Sequence, residues 1–290
     1  MRLIIHADDF GMAKSINAAC IELGNLGTLS SVSVMANMPF LDEVPKLLGV
    51  DHLSMGLHST FTQGKPLSKP GRIDSLLDDN GNFLTYPVLM KQAWLGKVDA
   101  DQVYCELEKQ YQTLFELVGE RLVFIDSHHS LHNKLLPFVN AFVRLGERYP
   151  IRAVRTRQYC YLERSGQRVV LRSPGFRNLG RYGFRKVAIN AFYRFIAWRY
   201  SGLFEVPDGM LVQNQPGAAG VLRDLPRINQ DDEPEGVFYA VVHPALRTRD
   251  LPASNLKEER VEEFKILSSR NFLNWVEANP LTNFAEMGQE

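Results

Sequence analysis

"RLIIHADDFGMAKSINAACIELGNLGTLSSVSVMAN", residues 2–37, decides the fold. Its apolar start, "RLIIHA", predicts a short buried strand. "SINAACIELGNLG" then places Ile16, Ala19, Cys20 and Leu23 on one helical face, with Gly24 or Gly27 near the stop. "LSSVSVMAN" reads as a second strand. "FLDEVPKLLGV" (40–50) predicts a helix despite Pro45, and "LSMGLHST" (53–60) a third strand that ends in His58. This βαβαβ rhythm implies parallel strands joined by crossover helices.

The rest of the chain continues the pattern. Residues 64–83 are rich in Gly, Pro and Asp and read as a long loop, and residues 99–119 form the clearest helix. "RLVFIDSHHSLH" (121–132) is another buried strand with a polar end. A helix at 135–149, a strand "IRAVRTR" (151–157), a late strand "GVFYAVVHPA" (236–245) and a helix "EERVEEFKILSS" (258–269) follow. Four strands thus end in reactive residues: Asp8 and Asp9, His58, Asp126 with His128, and His243. Parallel α/β folds gather their sites at the carboxyl ends of strands, so these residues are expected to build one site.

The 290 residues suit one barrel-like domain, and 45% hydrophobic content is ample for a core. Equal numbers of basic and acidic residues give zero net charge and no pull towards nucleic acid. The three cysteines, Cys20, Cys105 and Cys160, are far apart, which argues against a disulfide framework or a cysteine zinc site. No signal-peptide core and no run of about 18 apolar residues is visible, so a cytoplasmic location is expected. Between Arg152 and Arg199 arginines are dense and Glu163 is the only acid. "FRKVAINAFYRFIAWRY" (184–200) could form a basic amphipathic helix. It reads as a lid, an oligomer contact or a membrane-surface patch, or else as a solvated insertion with aromatic core contacts.

Two adjacent carboxylates repel unless something neutralises them, and a divalent cation would do so. One of Asp8 and Asp9 could bind it while the other stays available as a base. Successive strand residues point to opposite faces, so both can face one site only if the backbone leaves strand geometry, which Gly11 would permit. His128 and His132 stand at i and i+4, a zinc-like spacing if that segment turns helical. Asp126 could orient a ligand imidazole from behind. Six of the seven histidines lie at or beside strand ends, His52 being the exception.

"ADDFG", "GLH", "DSHHSLH" and "HPA", in that order, together resemble the YdjC-like carbohydrate deacetylases, of which chitooligosaccharide deacetylase is the best known. Order and spacing fit from residue 3 to about 157 and again near 238–246. The resemblance implies a distorted TIM-like (β/α) barrel of the glycoside hydrolase and deacetylase type. A single domain over 1–290 is expected, with the arginine-rich stretch at about 161–212, which shows no such match and departs from the short chitooligosaccharide enzymes, as an insertion or lid. The resemblance also implies one divalent metal ion, magnesium or zinc, held by Asp9, His58 and His128. Asp8 would then be the general base and His243 the acid or transition-state stabiliser. Asp126, His132 and Arg155, the last in the family-like "IRAVR", would support the ligands or touch substrate. The chain has "HADDFG" where "NADDFG" is common, which leaves His6 as an extra histidine, and "HPA" for the commoner "HPG".

The expected reaction is removal of an acetyl group from an N-acetylated sugar or oligosaccharide. A metal held by one Asp and two His would keep positions open for water and for the acetyl oxygen. Two alternatives stand beside it: a metallophosphoesterase on a similar barrel, and a glycan- or glycolipid-binding protein without turnover. No nucleic acid is expected as a partner. Membrane-surface contact through 161–200 and a homodimer remain open readings.

Overall fold

The computed structural model describes residues 1–166, 168–213, 218–228, 234–251 and 256–288. Position 167, inside the expected insertion, lies outside them. The strands are β1 (Arg2–Phe10), β2 (Ser31–Val34), β3 (Ser54–Ser59), β4 (Leu122–Ser127), β5 (Ala153–Val154), β6 (Tyr159–Ser165), β7 (Arg168–Arg172), β8 (Gly209–Val212) and β9 (Val237–Val242). The helices are α1 (Lys14–Asn25), α2 (Tyr86–Trp94), α3 (Ala100–Val118), α4 (Leu136–Arg148), α5 (Leu179–Tyr200), α6 (Ala219–Asp224), α7 (Lys257–Leu267) and α8 (Arg270–Ala278).

The strands form one sheet in the order β5-β4-β3-β2-β1-β9-β8-β6-β7. Every pairing is parallel except the β6–β7 hairpin. Parallel strands buried on both faces need continuous apolar runs, which is why β1 and β9 are buried almost end to end. On one face Leu3, Ile5 and Ala7 meet the helical layer, including Ile16, Cys20 and Leu23 of α1. On the other, Ile4, Phe124, Tyr239 and Val241 form a smaller core closed by Phe284 and Met287 near the C-terminus. The Phe284 ring lies 4.3 Å from Phe124 and 6.4 Å from Tyr239. Thr282 N donates to Leu3 O, so this plug sits at the start of the strands and leaves their carboxyl ends open.

The sheet curls, but the expected barrel ladder does not close among the described residues. The ladder ends at β5 and β7, which do not pair with each other, so β5 keeps one edge outside it. The gap is spanned by one isolated bridge between Ala153 and Glu205 and by a hydrogen bond from the Tyr239 hydroxyl to Thr156 O. The segment 161–212 contributes β7, α5, β8 and most of β6, and so extends this same sheet.

Local chemistry accounts for the element ends. Asp99 caps α3 by accepting from Asp101 N and Gln102 N. Pro87 and Pro137 sit in the first turns of α2 and α4, where a missing N–H costs nothing. The helix expected at 40–50 is instead a 3-10 run over Leu41–Gly49, because Pro45 lacks the N–H an α-helix would need there. The strand expected at 151–157 shrinks to β5, and α2, β7 and β8 carry no clear signal in the sequence.

Candidate metal centre

Asp8 and Asp9 lie in a bulge. Along β1 and β2, Ala7 pairs with Val32 and the next pair is Phe10 with Val34, so one extra residue is accommodated on β1. Asp9 takes it up with φ 71°, a left-handed conformation rare outside glycine. Gly11 follows at φ 99°, and its amide is held by Asn17 Oδ1 at 2.7 Å. Regular alternation would send the two carboxylates to opposite faces; the bulge turns Asp9 into the same site as Asp8.

Asp9 is buried. Its Oδ2 accepts from Arg260 Nη2 at 2.5 Å, while Oδ1 lies 3.2 Å from His128 Nδ1 and 3.5 Å from His58 Nε2. Asp9 Oδ1, His58 Nε2 and His128 Nε2 are buried with no hydrogen-bond partner. Orphaned buried polar atoms are costly, and Asp9 Oδ1 and His58 Nε2, 3.5 Å apart, together call for a partner between them. The three residues can present ligand atoms within 4.8 Å of one another. One carboxylate and two imidazoles form a mixed set that suits a divalent cation, so the residues fit such an ion.

The next layer fixes these side chains. His58 and Asp126 are register partners on β3 and β4, and His58 Nδ1 lies 2.5 Å from Asp126 Oδ1. Arg155 joins Asp126 to Asp8, donating from Nε to Asp126 Oδ2 at 2.7 Å and from Nη2 to Asp8 Oδ2 at 3.1 Å. His6 Nε2 lies 2.8 Å from Asp8 Oδ1, and its Nδ1 2.9 Å from Ser31 Oγ. Ser33, small enough to leave room in the middle of the sheet, reaches His6, Asp8 and His58 at 3.1–3.3 Å.

Burial alone would raise the Asp8 carboxyl, but Arg155, His58 and the His6 hydrogen bond outweigh it and hold the group far below the usual range. Asp9 and Asp126 are depressed in the same way, Asp9 by His128, His58 and Arg260 and Asp126 mainly by Arg155 and His58. His58 goes the other way. Burial lowers it, yet Asp8 and Asp126 push it up to about 10 in the metal-free protein. The carboxylates of Asp8, Asp9 and Asp126 face the guanidiniums of Arg155 and Arg260, which leaves one negative charge for a proton or a cation to balance.

His243 follows β9 and places Nε2 3.7 Å from Asp8 Oδ2, with its side chain 30% exposed. Burial lowers its pKa against the pull of Asp8 and Asp9. These groups open into a cleft of about 450 Å³ whose walls include Lys134, Arg157 and Arg260.

His132 sits elsewhere. The segment His128–Asn133 is not a regular helix, because His129 and Ser130 take left-handed φ of 59° and 53°. The i, i+4 spacing therefore does not put His132 beside His128. Its Nδ1 lies 2.6 Å from Ser127 Oγ, its Nε2 2.6 Å from Arg155 O, and its ring stacks on Phe142 at 4.7 Å. It thus holds the backbone of Arg155. The His129 ring, on the cleft wall, packs between His128, at 4.1 Å between centroids, and Tyr86, at 4.5 Å.

Two charged residues of α7 that were not foreseen hold the site from behind. Arg260 pairs with Asp9, and Glu263 accepts from His243 N at 2.6 Å. Both lie in "KEERVEEF", where alternating charges read as a solvated helix face. Only their burial gives them away.

The chain is 35% identical over 157 residues to a carbohydrate deacetylase of Thermoanaerobacter pseudethanolicus, covering 52% of this chain and 59% of that one. It is 34% identical over 145 residues to a chitooligosaccharide deacetylase of Serratia marcescens, covering 49% and 55%. The matches thus span little more than half the length of these curated relatives. A solved Enterococcus faecalis structure, described as a candidate cellobiose-phosphate cleavage protein, superposes with a TM-score of 0.73 over 98% of this chain and 97% of that one. At 24% identity this establishes a shared fold. The YdjC-like protein model matches residues 2–278, nearly the whole length, and the chain belongs to that family.

Proposed function

We propose that the chain is a divalent-metal-dependent hydrolase that removes an acetyl group from an N-acetylated sugar or oligosaccharide. The observation that carries this reading is the cluster of Asp9, His58 and His128, which present ligand atoms within 4.8 Å of one another and leave Asp9 Oδ1 and His58 Nε2 without hydrogen-bond partners, beside Asp8 and His243. The names of the two bacterial relatives support the same chemistry.

Asp9, His58 and His128 hold the ion. When bound, a divalent ion there supplies Lewis acidity, which acidifies water and polarises the acetyl oxygen. Asp126 keeps a proton on His58 Nδ1 and so leaves Nε2 free as a donor atom. Asp8, held ionised by Arg155 and His6, is the base that accepts a proton from the attacking water. The departing amine is a poor leaving group and must be protonated. His243 lies next to Asp8 and can pass on the proton that Asp8 takes, or donate a hydrogen bond to the developing oxyanion.

The test is acetate release from a panel of N-acetylated sugars, using metal-stripped protein with single divalent ions added back. Acetate that depends on the ion is the expected result. Folded protein that binds metal yet releases no acetate from any sugar would overturn the reading. One observation favours the phosphoesterase alternative enough to keep it in the panel. Arg157 and Lys134 line the cleft, and Arg157 Nε is buried without a partner. Release of inorganic phosphate without acetate would select that reaction.

A further inference from the structure

Helix α5 has two apolar faces. Val187, Asn190, Tyr193, Ile196 and Tyr200 point inward. Asn190 Oδ1 accepts from Tyr159 N on β6, the Tyr193 ring lies 5.4 Å from Tyr159, and the Tyr200 hydroxyl donates to His132 O. The helix is therefore already docked to its own core. On the opposite side, at 3.6 residues per turn, Phe184, Ala188, Ala191, Phe195 and Trp198 form one stripe. Phe184 is 75%, Phe195 48% and Trp198 68% exposed, and Phe176, just before the helix, is 78% exposed. Phe195 and Trp198 have ring centroids 5.8 Å apart, so the patch is continuous. Isolated exposed aromatics need no explanation, but an ordered stripe of them does.

The stripe is edged with cations. Arg185 and Arg199 lie on one side and Arg194 on the other, and Arg177 stands beside Phe176. Among the described residues none of these four is paired with a carboxylate. The one acid between 152 and 199, Glu163, is taken by Arg181 and the Tyr182 hydroxyl.

We propose that this outer face of α5 docks on an anionic lipid membrane surface. Aromatic rings would lie at the boundary between headgroups and acyl chains, and the arginine stems would follow them while the guanidiniums reach lipid phosphates. Charge decides against a second copy of the chain as the occupant, because arginine-edged faces would meet with no acid between them. No helix among the described residues is long and apolar enough to cross a membrane, so the contact lies in the plane of the surface. Arg157, on the cleft wall, lies 5.9 Å from the Tyr193 ring on the inner face of α5. The inner face of α5 therefore borders the cleft, and the docked face lies on the far side of the helix.

The experiment is vesicle co-sedimentation of the full chain, comparing phosphatidylcholine alone with a mixture containing roughly one-third phosphatidylglycerol. Binding to the mixed vesicles only, weakening with salt, is expected. Replacing Arg185, Arg194 and Arg199 by Gln should lower affinity roughly a hundredfold, at roughly fivefold per charge. The triple change Phe184→Ser, Phe195→Ser and Trp198→Ser should abolish binding while circular dichroism stays unchanged. No preference for the anionic vesicles, or unaltered binding by the serine variant, would overturn the proposal. So would a dimer seen by sedimentation equilibrium that the serine variant dissolves, with no vesicle binding by the parent; the face would then belong to a second copy.

Discussion

Asp126 Oδ1 lies 2.5 Å from His58 Nδ1, and this one contact sets which nitrogen of His58 faces Asp9. Removing a carboxylate behind a ligand imidazole typically costs 10- to 100-fold in metal affinity. Asp126→Asn should therefore weaken metal binding by about that factor. Competition with a chelator of known affinity checks it; unchanged affinity would show that His58 needs no such support.

The two aspartates should separate by function. His58→Ala and His128→Ala should lose metal and turnover together. Asp8→Asn should keep the metal, while turnover falls by about 10²- to 10⁴-fold, as expected for loss of a general base. Metal content by elemental analysis beside acetate release distinguishes them. Metal loss in Asp8→Asn would reverse the roles assigned to Asp8 and Asp9.

Arg260→Ala leaves Asp9 buried with neither carboxylate oxygen hydrogen-bonded. Breaking a buried ion pair from one side costs about 3–5 kcal/mol, so the metal-free variant should unfold at clearly lower urea concentration. A bound cation would compensate the same carboxylate, so saturating divalent metal should recover part of the loss. Equal losses with and without metal would mean that Arg260 and the metal do not share Asp9.

His132 makes stability depend on pH. Burial holds its pKa down at about 3, against 6.5 for a free ring. Between those values the unfolded chain binds a proton that the folded one refuses, so stability is full above pH 6.5 and falls as the pH drops towards 3. His129, lowered to about 4 mainly by burial, adds to the same trend. His132→Gln should reduce the slope of urea stability near pH 5 by about 1.4 kcal/mol per pH unit, whatever it does to absolute stability. An unchanged slope would mean that another group carries the effect.

The strand-end residues were legible because parallel strands concentrate unusual side chains at one end, and apolar runs mark where those ends are. Asp9, His58, His128 and His243 could be named from that pattern, and Asp126 could be suspected behind a ligand. His132 was read two ways, as an i, i+4 partner of His128 if the segment were helical and as a residue behind the ligands. Its spacing from His128 suggested one helical face, but two left-handed residues between them send it to the backbone of Arg155. Arg260 was invisible, since among the glutamates of α7 it looks like any solvated arginine.

The sequence by itself determined the βαβ start, the apolar cores of β1, β4 and β9, and which side chains would be offered at their ends. These follow from hydrophobic periodicity, a property of neighbouring residues. Tertiary structure decided the rest. The bulge that turns Asp9 beside Asp8 depends on how β1 registers with β2. The pairing of Asp9 with Arg260 joins positions 251 residues apart. The open ladder depends on its end strands, β5 and β7, not pairing with each other. Each of these is a choice among long-range partners, made by burial and charge balance in the folded chain, where local pattern has no reach.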